Sequence, residues 1–291
     1  MPVFYRRMPR FRYLSPQTIE EAISFLADHK GEAKLMAGGT DLIPSLKRRE
    51  ISPPAYIVDL KGISGLDTIA YEPRQGLFIG ALATIRTISQ SPAVRDYYPS
   101  LVQAALSMAS PQVRNRGTFA GNICSAIPSA DSAPPLLTLG AQIRLQGSKG
   151  ERTIPIDQFF TGPRETVLKK DEIVTGLSMP NPPTRNIYLK LSPRHSMDLA
   201  IVGVAAAADL ENGQCRDVRI ALGAVAPTPI RAKRAEGALR GQPVSPAIIE
   251  QAAQAASAEC SPIDDYRASA AYRRDMVYVL TRRALTQVLS I

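Results

Sequence analysis

With 291 residues, 45% of them hydrophobic, the chain can bury a substantial core and is expected to divide into two or more domains. Its formal net charge of +9 is spread over helices without interleaved aromatic side chains, so we predict no nucleic-acid binding. These charges are expected to lie on solvated helix faces, and docking of an acidic partner subunit is the alternative.

The three cysteines, Cys124, Cys215 and Cys260, are far apart and form no CxxC pair, which disfavours a zinc site or a disulfide framework. An iron–sulfur cluster normally takes four thiolates, so any such cluster is expected on a partner. The basic N-terminus lacks the apolar segment of a signal peptide, and the apolar run 199–208 is too short to cross a bilayer. We therefore predict a cytoplasmic protein without a membrane span.

Residues 1–60 alternate between short apolar strands and helices. The predicted strands lie at 11–13, 34–37 and 55–60, with one helix capped by Ser15 and ending at His29 and a second helix reaching residue 49. This alternation predicts a βαβαβ-like lobe.

Residues 61–180 combine hairpins with helices that prolines separate. The predicted elements are a hairpin of 66–70 with 77–79, helices within 84–109 divided at Pro92 and Pro99, a helix at 133–139, and a hairpin of 142–145 with 153–156. The proline-rich run 178–186 is the best candidate for a domain boundary.

Residues 181–291 begin with strands and end with helices. The predicted strands lie at 187–191, 201–210 and 218–225, with Asn212-Gly213 as a hairpin turn, and the predicted helices at 246–260 and 268–290. The whole chain is therefore predicted to be α+β.

Two glycine-rich stretches stand out, at 34–42 (KLMAGGTDL) and 112–131 (QVRNRGTFAGNICSAIPSAD). Glycine lets the backbone approach a ligand closely, and free backbone N–H groups in such a bend can bind a phosphate. A tight turn with a helix cap is the alternative for either stretch alone. Neither contains GxGxxG or GxxxxGK[ST], which excludes the nicotinamide-binding Rossmann fingerprint and the P-loop.

The motifs AGGTDL and TFAGNICSAIPSAD, in this order, resemble the FAD-binding medium subunit of the molybdenum hydroxylase family, as in xanthine dehydrogenase and carbon monoxide dehydrogenase. Residues 159–174 (FFTGPRETVLKKDEIV) and 188–205 (YLKLSPRHSMDLAIVGVA) extend the resemblance over nearly the whole chain. It implies a PCMH-type FAD-binding fold of two mixed α/β lobes (1–60 and 61–180). A C-terminal flavoprotein domain of antiparallel sheet plus helices (181–291) would follow.

The resemblance also implies which residues contact FAD. The first bend would bind the pyrophosphate through Leu35, Met36, Ala37, Gly38, Gly39, Thr40, Asp41 and Leu42. In the second stretch, Thr118, Gly121 and Asn122 would reach phosphate or ribityl oxygens, and Asp131 a ribose hydroxyl or an adenine-side donor. One departure is Ala120, where the family often has glycine, so the backbone approach there is expected to be tighter.

Two further residues would lie beside the flavin ring by the same resemblance: Val174 through its backbone, and Lys190 through its charge. A nearby ammonium stabilises reduced flavin, so Lys190→Ala is predicted to lower the flavin potential while binding is retained. An exposed strand lysine is the alternative.

The sequence is therefore identified as an FAD-carrying electron-transfer subunit of a heteromeric molybdenum hydroxylase. By resemblance, a molybdopterin-binding large subunit oxidises the substrate and a 2Fe–2S small subunit passes electrons to FAD, which hands them to NAD or another acceptor. No catalytic residue and no metal site are expected on this chain. A cofactor-free scaffold and a stand-alone PCMH-type flavin oxidoreductase are the alternatives.

Four residues have no assigned role. Cys124 is expected to be a small filler, and the isolated His195 has no nucleophile pattern near it. Arg164 and Arg194 are candidates for phosphate or intersubunit contacts.

Overall fold

The computed structural model describes residues 7–29, 31–194 and 196–290 of the chain. His195 lies outside these residues. Three sheets of three to five strands follow one another along the sequence, each with its own hydrophobic core, and a separate two-stranded sheet lies within 160–166. The α+β prediction is confirmed. Helices long and apolar enough to cross a membrane do not occur in the described ranges.

The first sheet is parallel, with the strand order β1-β3-β2. Its elements are β1 (Arg12–Leu14), α1 (Ile19–Asp28), β2 (Ala33–Met36), α2 (Leu42–Arg48) and β3 (Tyr56–Asp59). The apolar face of α1, with Ala22 and Leu26, packs in the core of this lobe. The N-cap of α1 is Thr18, whose Oγ1 accepts the N–H of Glu21, so the predicted cap at Ser15 is wrong. A short 3₁₀ turn at Leu60–Gly62 follows β3.

The second sheet is antiparallel, with the order β4-β5-β10-β6-β7. Its region contains β4 (Ile69–Glu72), β5 (Gly76–Gly80), α3 (Ile85–Gln90), α4 (Pro92–Tyr97), α5 (Pro99–Ser107), α6 (Pro111–Arg114), α7 (Phe119–Cys124), α8 (Ala133–Thr138), β6 (Gln142–Gly147), β7 (Gly150–Pro155), β8 (Phe160–Gly162), β9 (Glu165–Thr166) and β10 (Ile173–Met179). The central strand β10 and the helix α7 were not predicted from the sequence. In both, glycine interrupts the apolar pattern, at Gly176 and Gly121.

The third sheet is antiparallel, with the order β11-β12-β13-β14. Its region contains β11 (Arg185–Leu191), β12 (Val202–Glu211), β13 (Gln214–Gly223), β14 (Ile230–Arg231), α9 (Lys233–Leu239), α10 (Pro246–Glu259) and α11 (Ala270–Leu289). The turn at Asn212-Gly213 has φ values of 52° and 76°, as a two-residue hairpin requires. The domain boundaries near 60 and 180 remain a prediction, although the first sheet ends before residue 60, the second lies between 60 and 180, and the third begins after 180.

Candidate functional site

The first glycine bend, residues 37–42, joins the end of β2 to the start of α2. Gly39 has a φ of +72°, a left-handed conformation that residues with a side chain rarely adopt. Within the described ranges, the N–H groups of residues 38–42 donate to no protein acceptor. Consecutive unpaired N–H groups form a concave site with partial positive charge. The bend can therefore bind an anion such as a pyrophosphate.

The second glycine bend, residues 117–122, leads into α7. Thr118 Oγ1 accepts the N–H of Gly121 at 2.9 Å and so caps this helix. Asn122 Oδ1 accepts the hydroxyl of Ser132 at 2.6 Å. The hydroxyl hydrogen of Thr118 and the side-chain amide hydrogens of Asn122 have no acceptor among the residues that the structure describes. Both side chains can therefore donate to a ligand without losing the bonds that hold the bend.

The two bends pack directly against each other. A Cβ atom on Gly38 would lie 2.0 Å from the carbonyl oxygen of Arg116, far closer than such atoms can approach. Ser125 also ties the bends together, because its Oγ donates to Asp41 Oδ2 at 2.8 Å. The glycine at position 38 thus permits a close backbone contact that joins the two stretches into one wall.

Both bends line a single cleft with a volume of about 950 Å³. Every residue that the sequence analysis assigned to the cofactor lies on this cleft except Lys190. An apolar section of the lining is formed by Leu60, Ile85, Met108, Leu168, Ile173 and Val174. The cleft therefore offers backbone donors suited to phosphates and an apolar surface suited to a ring.

Lys190 lies behind the cleft wall in a buried network. Its Nζ donates to Asp131 Oδ2 at 2.8 Å, to the Asp198 carbonyl at 2.9 Å and to the Ser107 carbonyl at 3.1 Å. Its side chain is only 6% exposed, so the alternative of an exposed strand lysine is wrong. All three ammonium hydrogens are used within the protein, and none is left for a flavin ring.

Asp131 is the shared acceptor of this network and also lines the cleft. Its Oδ1 accepts the hydroxyl of Tyr188 at 2.7 Å, while Oδ2 accepts Lys190. Burial raises the pKa of Asp131 above its ordinary value and outweighs the opposing effect of the ammonium. Burial, followed by the charge of Asp131, raises the pKa of Tyr188 well above its ordinary value. The network links the cleft to β11 of the third sheet.

Tyr188 was not predicted from the sequence as part of the site. The available signal was its position two residues before Lys190, because alternate residues of a strand share one face. The lining residues Lys169, Lys170 and Tyr266 were not predicted either. Nothing local marks Tyr266, which lies in the α10–α11 connection, at the far end of the chain from the glycine bends.

Three of the four residues without an assigned role also lie on the cleft, and the fourth, His195, is outside the described residues. Arg164 and Arg194 line it, and Arg194 pairs with Asp198 at 3.0 Å. Cys124 lines it as well, and burial raises the pKa of its thiol to about 12. The thiol is therefore protonated at neutral pH and is a poor nucleophile. Groups of three or more His, Cys, Asp or Glu side chains that could hold a metal are absent from the part of the chain that the structure describes.

The residues on the cleft fit FAD. The pyrophosphate of this dinucleotide needs several hydrogen-bond donors, and residues 38–42 present a run of unpaired N–H groups. The lining also carries apolar side chains that can contact a ring, among them Ile85 and Met108. Both features match the requirements of a bound dinucleotide and neither is needed for a simple turn.

Comparison with known proteins identifies two family domains. Residues 9–182 match the FAD-binding domain in molybdopterin dehydrogenases, and residues 187–288 match the C-terminal domain of carbon monoxide dehydrogenase flavoproteins. The carbon monoxide dehydrogenase medium chain of Hydrogenophaga pseudoflava is 35% identical over 279 residues, which cover 95% of this chain and 96% of the relative. The xanthine dehydrogenase FAD-binding subunit of Escherichia coli O157:H7 is 32% identical over 281 residues, which cover 96% of each chain.

Solved structures agree with the sequence relatives. Carbon monoxide dehydrogenase from Hydrogenophaga pseudoflava, lacking the Mo-pyranopterin moiety of the molybdenum cofactor, superimposes with a TM-score of 0.94 at 35% identity, covering 98% of this chain and 99% of that one. Quinoline 2-oxidoreductase from Pseudomonas putida 86 gives a TM-score of 0.92 at 30% identity with the same coverage. As the sequence motifs predicted, the chain therefore belongs to the FAD-binding medium subunits of the molybdenum hydroxylase family, of the xanthine dehydrogenase and carbon monoxide dehydrogenase type, and is a subunit of an FAD-dependent oxidoreductase.

Proposed function

We propose that this subunit relays electrons through FAD held in the cleft that both glycine bends line. Electrons would arrive from a 2Fe–2S cluster on a small partner subunit and leave to NAD or another acceptor. A molybdopterin-binding large subunit would oxidise the substrate. The observation that carries the proposal is the convergence of both glycine bends, with their free donors, on one cleft.

Bound FAD supplies the redox chemistry, because a flavin exchanges electrons singly or in pairs. The chain supplies binding and orientation. In this proposal the N–H groups of residues 38–42 donate to the pyrophosphate oxygens, and the free hydrogens of Thr118 and Asn122 donate to phosphate or ribityl oxygens. Leu35, Met36, Ala37 and Gly121 complete the contacts of the two bends.

Val174 would contact the ring through its backbone, beside the apolar side chains of the cleft lining. Asp131 would accept from a ribose hydroxyl or an adenine-side donor with a lone pair not used by Tyr188 or Lys190. Lys190 would act through Asp131, since its hydrogens are bonded within the protein. A cytoplasmic location remains a prediction.

The absorption spectrum of the purified chain, before and after acid release of any bound cofactor, tests the assignment first. A flavin spectrum with FAD in the released fraction is expected. A chain that purifies without flavin and binds no added FAD would support the scaffold alternative instead.

The acceptor is tested separately on the FAD-loaded chain. The flavin is reduced anaerobically by light with EDTA as the electron donor and then mixed with NAD⁺ or with a quinone, and the return of the oxidised flavin spectrum is followed. Rapid return with NAD⁺ supports NAD as acceptor. Return only with the quinone would exclude NAD for this subunit, while the relay function would remain.

A further inference from the structure

The peptide group that begins the first glycine bend is held by a residue outside the cleft. The carbonyl oxygen of Ala37 accepts a hydrogen bond from Lys61 Nζ at 3.3 Å. Lys61 follows β3 and does not line the cleft, so it has no direct access to a ligand there. Its ammonium nevertheless contacts the peptide that connects residues 37 and 38.

This hydrogen bond determines which way the adjacent N–H group faces. The carbonyl of Ala37 and the N–H of Gly38 belong to one planar trans peptide and point in opposite directions. When Lys61 binds the carbonyl from outside the cleft, the Gly38 N–H is turned away from Lys61. Because glycine adopts a wide range of backbone dihedral angles, the peptide between Ala37 and Gly38 could rotate if the hydrogen bond from Lys61 were absent. It would then present its carbonyl oxygen to an anion.

Lys61 is itself held in place by a buried carboxylate. Its Nζ donates to Asp59 Oδ1 at 2.5 Å, and its backbone N–H donates to the same oxygen at 3.1 Å. Tyr13 donates its hydroxyl to Asp59 Oδ2. The Asp59 side chain is 3% exposed, and a carboxylate so buried requires a charged partner.

The ionisation of Asp59 fits this arrangement. Burial alone would raise the pKa of Asp59, but the hydrogen bonds from Lys61 and Tyr13 outweigh burial and leave the pKa below its ordinary value. Asp59 is therefore a carboxylate at neutral pH, and Lys61 is anchored to it as an ammonium. Three residues thus form a chain of contacts that ends at the Ala37 carbonyl.

We propose that Lys61, anchored by Asp59 and Tyr13, is a positioning residue that turns the Gly38 N–H toward the pyrophosphate of the bound dinucleotide. The proposal rests on the proposed function, in which the first bend binds that pyrophosphate. Lys61 is not a catalytic residue, since it acts only through the peptide group between Ala37 and Gly38.

The test measures the affinity of the flavin-free full chain for three ligands: FAD, ADP and riboflavin. FAD and ADP contain a pyrophosphate, whereas riboflavin contains the ring without phosphate. In Lys61→Met we expect the dissociation constants of FAD and ADP to rise by the same factor, about tenfold or more. The reason is that the hydrogen bond from the Gly38 N–H to the charged pyrophosphate is lost. The dissociation constant of riboflavin should change less than about twofold.

Two variants control for charge and for chemistry. Lys47→Met removes an exposed lysine from the last turn of α2, the helix that follows the same bend, and should leave all three affinities unchanged. Lys61→Arg keeps a cation that can donate to the Ala37 carbonyl and should restore most of the affinity for FAD and ADP.

A third variant separates positioning from stability. Lys61→Met leaves the buried Asp59 without its cation, so the double variant Asp59→Asn/Lys61→Met should recover thermal stability while the affinity for FAD and ADP stays low. Equal losses of affinity for all three ligands in Lys61→Met would overturn the proposal for Lys61, and so would recovery of FAD affinity together with stability in the double variant. Either result would leave the pyrophosphate assignment unchanged. A wild-type chain that binds riboflavin as tightly as FAD would instead overturn the pyrophosphate assignment, and the proposal with it.

Discussion

Replacing Gly38 by alanine tests whether contact between the two glycine bends is what forms the site. The added Cβ would lie 2.0 Å from the Arg116 carbonyl oxygen, 2.6 Å from its carbonyl carbon and 2.9 Å from Gly117 Cα. Ordinary contact begins at 3.4 Å, so the two backbones would have to separate by about 1.4 Å, the difference between the two distances. The obstructing atoms are backbone atoms, which cannot rotate away as a side chain can.

Overpacking of this kind typically costs about 1–3 kcal/mol. If this energy destabilises the FAD-bound form and not the free chain, the FAD dissociation constant should rise roughly tenfold to a hundredfold, since about 1.4 kcal/mol corresponds to tenfold. The assay is titration of the flavin-free chain with FAD, followed by flavin fluorescence. Thermal unfolding of the same sample without FAD shows how much of the loss arises from the fold itself.

Gly237 provides a matched control in the same chain. It lies in α9, and a Cβ atom added there would meet no atom within 4 Å outside the backbone of its own helix, so Gly237→Ala should leave FAD affinity unchanged. Alanine is also a better helix former than glycine, so this variant should unfold at a slightly higher temperature. FAD affinity within about twofold of wild type in Gly38→Ala would refute the view that close contact of the bends shapes the cleft.

Three further predictions concern buried groups. Lys190→Met should lower the free energy of unfolding by about 3–5 kcal/mol, because it leaves the buried Asp131 without its cation. A loss below about 1 kcal/mol in urea titration would contradict this. The hydrogen bond from Arg152 lowers the pKa of Glu172 below its ordinary value. The stabilisation from this pair is therefore complete above the ordinary carboxyl pKa and is lost as the pH falls through the lowered value. Glu172→Gln should therefore lower the free energy of unfolding by about 2 kcal/mol at neutral pH and flatten the acid side of its pH dependence. An unchanged pH dependence would contradict this prediction. With a thiol pKa of about 12, Cys124 should react with alkylating reagents at least about a hundredfold more slowly than free cysteine at about pH 8, measured by mass spectrometry. Rapid labelling in the folded chain would show that the pKa of this thiol is not raised.

Much of the secondary structure follows from residues close together in sequence. Pro92 and Pro99 each stand at the first position of a helix, as their fixed φ and missing N–H favour. Asn212-Gly213 forms a hairpin turn because both residues tolerate positive φ. Each of these signals acts through the backbone of its own segment, so no knowledge of the remainder of the fold is needed.

Other elements have no such local signal. The strand β10 contains Gly176, which weakens a strand pattern, yet it is the central strand of its sheet. A Cβ at this position would lie 2.5 Å from the ring of Phe78 on the neighbouring strand β5. The glycine is therefore explained by a neighbour distant in sequence, which becomes visible only when the sheet is assembled.

The sequence by itself determined the three successive regions, the two glycine bends and the family to which the chain belongs, since these depend on local backbone preferences and on motif order. Only the tertiary structure decided that Gly38 packs on the backbone of Arg116 and that Lys190 is bound to Asp131, a partner 59 residues away. The physical reason is that such contacts arise when separate segments pack together, and the energy of burying a charge depends on which partner packing brings beside it.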